Sequence, residues 1–166
     1  LVDGYFKAYK LPDLPLTLGH EIAGTVDKIG SLVPKSLGLA EGDLVAVVGG
    51  WGDGACRQCH EGNTHICNHG NWPGFGPYGG YSEYVPVPYS YLVPIGKQYN
   101  LTAEEVAPLT DAGLTPYRGI KKLRAAGALG PDRILAVFGV GGLGTYAVQY
   151  AKILGSGATV VAFGRN

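Results

Sequence analysis

The chain has 166 residues, 46% of them hydrophobic and 16% charged, with thirteen basic side chains balanced by thirteen acidic ones. That length allows a real core and one or two domains. A net charge of zero with no basic stripe excludes the electrostatic footprint of nucleic-acid binding, and neither a run of about 18 apolar residues nor a signal-like start is present.

A soluble, cytoplasmic protein with no membrane partner is therefore expected. Its 28 glycines far exceed the usual ~7%. With eleven prolines and eleven tyrosines they point to a turn-rich β domain, with glycines also kept for a ligand. Residue 1 is Leu, and the chain stops at Asn166 just after an apolar strand, so a piece of a longer protein is expected.

In chain order, Gly19-His20-Glu21 follows a proline-rich lead-in (Pro12, Pro15) and precedes a strand over 22–29. Further strands are expected over 44–48, 81–87 and 91–95, with turn signals between them. Residues 49–79 form one long Gly- and Pro-rich loop, and a loop of that length in a compact domain usually carries function. Thr102-Ala-Glu-Glu105 is a capping box opening a helix. The helical pattern runs through Val106, Ala107 and Leu109 and resumes over 115–123; residues 125–132 connect.

The pattern changes at Arg133. Residues 134–138 read as a buried strand, 139–144 as a glycine turn, and 145–154 as a helix with Ala147, Val148, Ala151 and Leu154 on its apolar face. Gly155-Ser-Gly157 ends the helix, and 159–163 is a second strand. This β–turn–α–β order opens a parallel dinucleotide fold.

Inside the long loop, Asp53, Cys56, Cys59 and Cys67 have the spacing D-x2-C-x2-C-x7-C, which uses all three cysteines of the chain. Thiolates are ligands that zinc prefers, and a structural zinc needs four ligands in a closed tetrahedron. Asp53 stands where a fourth is wanted. Gly49, Gly50, Gly52, Gly54 and Gly62 let a short loop wrap an ion. Three unrelated small hydrophobes are the bland alternative, but chance would scatter them. An odd count with tight x2 spacing argues against disulfides. Four ligands bring about four negative charges against two on zinc, so nearby N–H groups or Arg57 are expected to balance the site.

Gly139-Val-Gly141-Gly142-Leu143-Gly144 is G-x-G-x-x-G between a strand and a helix. Gly139 permits the tight turn, Gly141 lets the backbone approach a pyrophosphate, and Gly144 lets helix and strand pack closely. The helix N-terminus offers N–H groups to the phosphates. An ordinary strand–helix turn is the alternative. About 20 residues beyond the motif, an acidic residue would hold the ribose 2′-hydroxyl of NAD. Gly164 and Arg165 stand there instead, favouring the 2′-phosphate of NADP unless Arg165 is a merely solvated strand end.

Gly19-His20-Glu21-x2-Gly24-x5-Gly30-x2-Val33 resembles the signature of the zinc-dependent alcohol dehydrogenases, within the medium-chain dehydrogenase/reductase family. The metal loop and glycine turn follow in that family's order, and Gly80-Tyr-Ser-Glu-Tyr84 is similar to its G-G-x-x-E-Y segment. The resemblance implies a mixed α/β chain: a GroES-like β-rich catalytic domain over residues 1–112, then the start of a Rossmann doubly wound parallel sheet over 113–166. It implies two zinc ions per subunit. The structural one is held by Asp53, Cys56, Cys59 and Cys67, the first being Cys in many relatives. The catalytic one takes His20, with Glu21 as ligand or neighbouring carboxylate, and Asp111, a helix N-cap being the alternative for Asp111.

The same resemblance implies hydride transfer between an alcohol, polyol or sugar hydroxyl and NAD or NADP, with aldehyde or ketone products. It also implies a homodimer or homotetramer. The family's first catalytic ligand, a Cys upstream of G-H-E, is missing from residues 1–19, so this stretch of chain by itself is expected to be inactive. Two rivals remain. One is a zinc-ribbon-like nucleic-acid module, against which zero net charge and the His20-Glu21 context weigh. The other is a zinc-free quinone or enoyl reductase of the same superfamily, from which the cysteine loop separates this chain.

Overall fold

The computed structural model describes residues 15–165. The part of the proline-rich lead-in that holds Pro12 lies outside the described residues. The chain divides into two compact units, residues 1–110 and 111–166.

The first unit is built on a three-stranded antiparallel sheet in the order β1–β2–β3: β1 Ala23–Thr25, β2 Leu44–Val47 and β3 Leu92–Pro94. Ala23 pairs with Ala46, and Ala46 with Val93. β1 is shorter than the expected 22–29. Its pairing reaches outward through Val47 N–H to the Ile22 carbonyl (2.9 Å), Val26 N–H to the Asp43 carbonyl (3.0 Å) and Gly42 N–H to the Val26 carbonyl (2.8 Å), before the chain turns away. Ile22, Val47 and Trp51 form the buried cluster, with Val85, Val87, Tyr91 and Leu92 packed against it.

The strand expected over 81–87 is absent, although its alternation is real: Val85 and Val87 do face the core. Pro86 and Pro88 stand between and beside them, and proline has no N–H to give to a ladder. The segment supplies side chains without joining the sheet.

The capping box forms as expected at α1 (residues 103–106). Thr102 N–H reaches Glu105 Oε2 (2.9 Å), and Glu105 N–H reaches Thr102 Oγ1 (3.4 Å). Val106, 1% exposed, is the buried anchor of this turn. The chain then tightens into a 3-10 turn over Ala107–Thr110, where Pro108 again removes a helical donor.

The second unit begins with α2 (Leu114–Ala125). Pro116 is tolerated in its first turn because N–H groups there have no intrahelical acceptor. A left-handed Gly127 (φ 66°) ends it: Gly127 N–H bonds the Arg124 carbonyl, and Ala128 N–H the Leu123 carbonyl, each at 3.0 Å, a paired closure of the last turn.

Next come β4 (Ile134–Phe138), α3 (Gly142–Leu154) and β5 (Thr159–Phe163), with β4 and β5 parallel. Ala147, Val148, Ala151 and Leu154 form the covered face of α3, as expected. β4, expected to be buried, alternates instead. Leu135 and Val137 are half-buried, whereas Ile134 (74%) and Phe138 (77%) are exposed. Helix α3 covers one face of this two-stranded sheet, and nothing among the described residues covers the other.

Replacing Thr102 by Ala should remove one half of the capping box and destabilise the first unit by about 1 kcal/mol. Urea unfolding with an unchanged slope and a lower midpoint is the expected signature; an unmoved midpoint would show that the box adds nothing.

Candidate functional site

The metal loop grows out of the core at Trp51. Its N–H and C=O exchange bonds of 2.8 Å with Asn71, forming an isolated antiparallel bridge that closes the loop. The Trp51 indole is buried, donates Nε1–H to the Val48 carbonyl (2.7 Å), and stacks on Tyr91 with ring centroids 6.2 Å apart. Within the loop, a one-turn helix over Arg57–His60 starts at Cys56, and three residues of helical spacing bring Cys59 back beside it. A 3-10 turn over Thr64–Ile66 then returns Cys67. Gly54 (φ 73°) and Gly62 (φ 79°) take the left-handed turns that this path demands.

The result gathers the four expected ligands. Cys56 Sγ lies 3.7 Å from Cys59 Sγ and 3.6 Å from Cys67 Sγ, and Cys59 Sγ lies 3.4 Å from Asp53 Oδ1. All four ligand atoms lie within 4.8 Å of one another. Zinc–sulfur bonds of about 2.3 Å set a tetrahedral sulfur–sulfur edge of about 3.8 Å, and zinc–oxygen bonds of about 2.0 Å a sulfur–oxygen edge of about 3.5 Å. Three of the six donor–donor distances therefore match the edges of a zinc tetrahedron, and none of the six exceeds 4.8 Å. The thiols are free, their sulfurs well beyond the roughly 2.05 Å of a disulfide.

The electrostatics favour anions here. Backbone N–H groups of Ala55 (2.9 Å) and Cys56 (3.1 Å) bond Asp53 Oδ1 and hold its carboxyl well below the usual carboxylate range. Backbone donors at Cys59 and Asn68 pull the Cys56 thiol down to about 7. Cys67 Sγ accepts from the N–H groups of Asp53 (3.5 Å) and His69 (3.4 Å). Burial pushes Cys59 up to about 12 against a Gly54 backbone donor, so this thiol keeps its proton until a cation displaces it. Of the two expected charge-balancing sources, N–H groups are the one in place. Arg57 is turned to Glu61 instead, with Nε 2.7 Å from Oε1, on an open surface.

The glycine turn is built as its spacing demands. Gly139 (φ 89°) leaves β4 in the left-handed region, its N–H on the Phe163 carbonyl (2.8 Å). A Cβ on Gly144 would run into the Gly139 carbonyl, so only glycine lets α3 start this close to the strand. Gly141 caps α3, with Thr145 N–H and Oγ1–H both on its carbonyl (2.9 and 2.8 Å). Space beside Gly141 and Gly142 is open, room a phosphate could take, and Leu143 is exposed next to them. Phe138 pairs with Phe163, so Gly139 and Gly164 leave the sheet side by side at the carboxyl ends of the strands, where open parallel sheets bind ligands. Arg165 follows, exposed.

The Gly19-His20-Glu21 and Gly79-Gly80-Tyr81 motifs meet. Gly79, Gly80 and Tyr81 N–H groups bond the carbonyls of Thr17, Gly19 and Leu18 at 2.8, 2.9 and 2.9 Å. A Cβ on Gly79 would overlap the Gly19 carbonyl, and one on Gly19 would lie 2.7 Å from Tyr81 Cδ1. His20 is half-buried with its ring 5.3 Å from that of Phe75, in a recess of about 360 Å³ shared with Leu18, Glu21 and Tyr81. Asp111 opens the second unit. Its Oδ1 accepts from Thr115 Oγ1 (2.8 Å), while Gly113 holds the cap position of α2, so Asp111 is not the helix N-cap. Trp51 escaped the sequence reading, which named Gly52 only as a loop glycine and Tyr91 only as a strand residue and missed that they tie the loop to the core; the aromatic flanks of the glycine-rich loop were the available signal.

Two outcomes follow for the cluster. A Cβ on Gly52 would lie 2.6 Å from Cys59 Sγ. Gly52→Ala, like Cys59→Ser, should therefore lower bound zinc well below one per chain by elemental analysis of folded protein; full zinc content in a folded Cys59→Ser variant would rule the site out. Metal uptake should also release protons. At about pH 8 Cys56 is mostly ionised, but Cys59 still carries its proton. As pH falls below about 7, Cys56 must lose a proton too, and affinity should drop by up to about tenfold per unit for each proton displaced. Calorimetric titration in buffers of different ionisation enthalpy measures this; binding without proton release would contradict it.

Comparison with known proteins places the site in context. Residues 1–97 match the alcohol dehydrogenase GroES-like domain family. An NAD-dependent alcohol dehydrogenase of Sulfurisphaera tokodaii is 46% identical over 150 residues, covering 89% of this chain and 40% of the relative. A D-arabinose 1-dehydrogenase (NADP(+)) of Saccharolobus solfataricus is 38% identical, covering 92% of the chain and 42% of the relative. Among solved structures, the alcohol dehydrogenase of Aeropyrum pernix superposes with a TM-score of 0.79 at 38% identity, over 91% of this chain and 42% of that one. The chain thus spans about two-fifths of the length of the curated relatives it matches. Its mixed α/β order, a β-rich unit followed by β–turn–α–β, is that of these neighbours, and the chain belongs to the alcohol dehydrogenase GroES-like domain family.

Proposed function

We propose that this chain supplies the zinc-binding and first nucleotide-binding parts of a zinc-dependent alcohol dehydrogenase that moves a hydride between an alcohol or sugar hydroxyl and NAD(P). The observation that carries it is the tetrahedral spacing of Asp53, Cys56, Cys59 and Cys67 in a chain that also holds a strand–G-x-G-x-x-G–helix. Residues 1–112 form the catalytic part and 113–166 the start of the nucleotide-binding part.

In this reading the cysteine cluster is structural, because four protein donors leave no open position for substrate. His20, Glu21 and Asp111 are the candidate holders of a second, catalytic zinc, and imidazole and carboxylates are donors that zinc accepts. Such an ion supplies Lewis-acid polarisation of the substrate oxygen, and the nicotinamide supplies the hydride acceptor. The chain's own part is orientation. The backbone bonds from Gly79, Gly80 and Tyr81 to Thr17, Gly19 and Leu18 hold the chain that carries His20 into its recess. The open N-terminus of α3 receives the pyrophosphate. The thiol cluster suits a reducing compartment, hence the cytoplasm, and a homodimer or homotetramer is the proposed assembly.

The relatives' names include both an NAD-dependent and an NADP(+) enzyme. Gly164 and Arg165 stand at the strand end beside the glycine turn, and a guanidinium there pairs with a 2′-phosphate. NADP is the proposed partner.

Steady-state kinetics on the protein carrying this chain, zinc-loaded, with a panel of alcohols and sugars, tests both statements. Zinc-dependent formation of reduced cofactor is expected, with kcat/KM higher for NADP on the order of tenfold. Arg165→Ala should erase that preference and leave NAD use intact. No turnover with either cofactor would overturn the dehydrogenase assignment; better use of NAD by the unaltered protein would overturn the NADP assignment alone.

A further inference from the structure

The peptide between Gly52 and Asp53 touches both the core of the first unit and the ligand cluster. Its carbonyl accepts a hydrogen bond of 2.9 Å from Tyr91 Oη, a partner 39 residues away. Its N–H points at Cys67 Sγ (3.5 Å), and the side chain that follows is the ligand Asp53, 3.4 Å from Cys59 Sγ. Tyr91 is held on two other sides: its ring stacks on the buried Trp51, and its carbonyl takes Val48 N–H at 2.9 Å. The phenol therefore presents its hydroxyl to the loop from a fixed ring.

We propose that Tyr91 is a positioning residue of the metal site, acting through the Gly52–Asp53 peptide. A peptide is a rigid plane, so fixing its carbonyl fixes the direction of its N–H and of the chain entering Asp53. A hydrogen bond at the carbonyl also polarises the N–H, which strengthens what that N–H gives to the Cys67 sulfur. Gly52 leaves the plane close against Cys59, with no side chain between them. One remote hydroxyl thus sets two of the four ligands. This inference rests on the cluster being a zinc site.

Tyr91→Phe keeps the ring and removes only the hydroxyl. In the 166-residue chain loaded with zinc, it should weaken zinc binding about tenfold or more in competition with a chromophoric chelator, the size expected when an outer partner of a metal ligand is lost. With cobalt(II) in place of zinc, the thiolate-to-cobalt charge-transfer band should shift in the variant. The melting temperature should fall further between zinc-loaded wild type and variant than between the metal-stripped pair, where only the single hydrogen bond is lost.

Unchanged affinity and an unchanged cobalt spectrum would overturn the inference alone. So would an equal loss of stability with and without metal, which marks a purely structural tyrosine. Failure of the wild type to bind zinc would overturn the site and the inference together. Should Tyr91→Phe not fold, a ring-fluorinated tyrosine at this position, a stronger donor of nearly the same size, should tighten zinc binding; no change would overturn the inference.

Discussion

Three thiols and a carboxylate held within 4.8 Å of one another are an unstable company unless protons or a cation sit among them. The rest of the first unit is arranged around that constraint. Burial pushes the Cys59 thiol up, N–H groups converge on Asp53, Cys56 and Cys67, and the four donor atoms crowd together. Residues 52–70 contribute nothing to the apolar cluster, so their order leans on this polar centre and its ties. Those ties are few and specific: the Trp51–Asn71 bridge, the indole on Val48, and the Tyr91 hydroxyl on Gly52. A cation filling this cluster would couple its binding to the order of the loop.

Glycine does a different job in each part of the chain. At Gly19, Gly79 and Gly144 it allows backbone to lie against backbone, where any Cβ would overlap a carbonyl or a ring. At Gly54, Gly62 and Gly139 it supplies left-handed φ. At Gly141 and Gly142 it leaves space open. The abundance of glycine thus marks three needs: close chain crossing, left-handed turns, and open space at the head of α3.

The two strands of the second unit show how register turns separate motifs into one surface. The glycine turn and the Gly164-Arg165 pair are some twenty residues apart in sequence, and parallel pairing of Phe138 with Phe163 sets them side by side. A shift of one residue would turn Leu135 and Val137 away from α3 and break the covered face. The hydrophobic pattern therefore enforces the alignment that the proposed nucleotide site requires.

Local spacing was enough to read whatever depends on residues a turn or two apart. The ligand step from Cys56 to Cys59, the capping box at Thr102 and Glu105, the tight turn at Gly139 and the apolar face of α3 all depend on such distances, and helical or turn geometry fixes them. The β–turn–α–β order follows from the change of pattern at Arg133, while the two-domain order was what the family resemblance implied. Contacts between distant segments were decided only by the tertiary structure. Val85 and Val87 have strand periodicity, yet the flanking prolines leave them as packing side chains beside the sheet. Arg57 lies next to the cluster in sequence but pairs outward with Glu61, because an i,i+4 partner is nearer than the ligands. The meeting of Gly19 with Gly79, and of Tyr91 with Gly52, cannot be inferred from spacing at all. Each depends on where the chain reverses, and that is set by the burial of Ile22, Val47 and Trp51 in one common core.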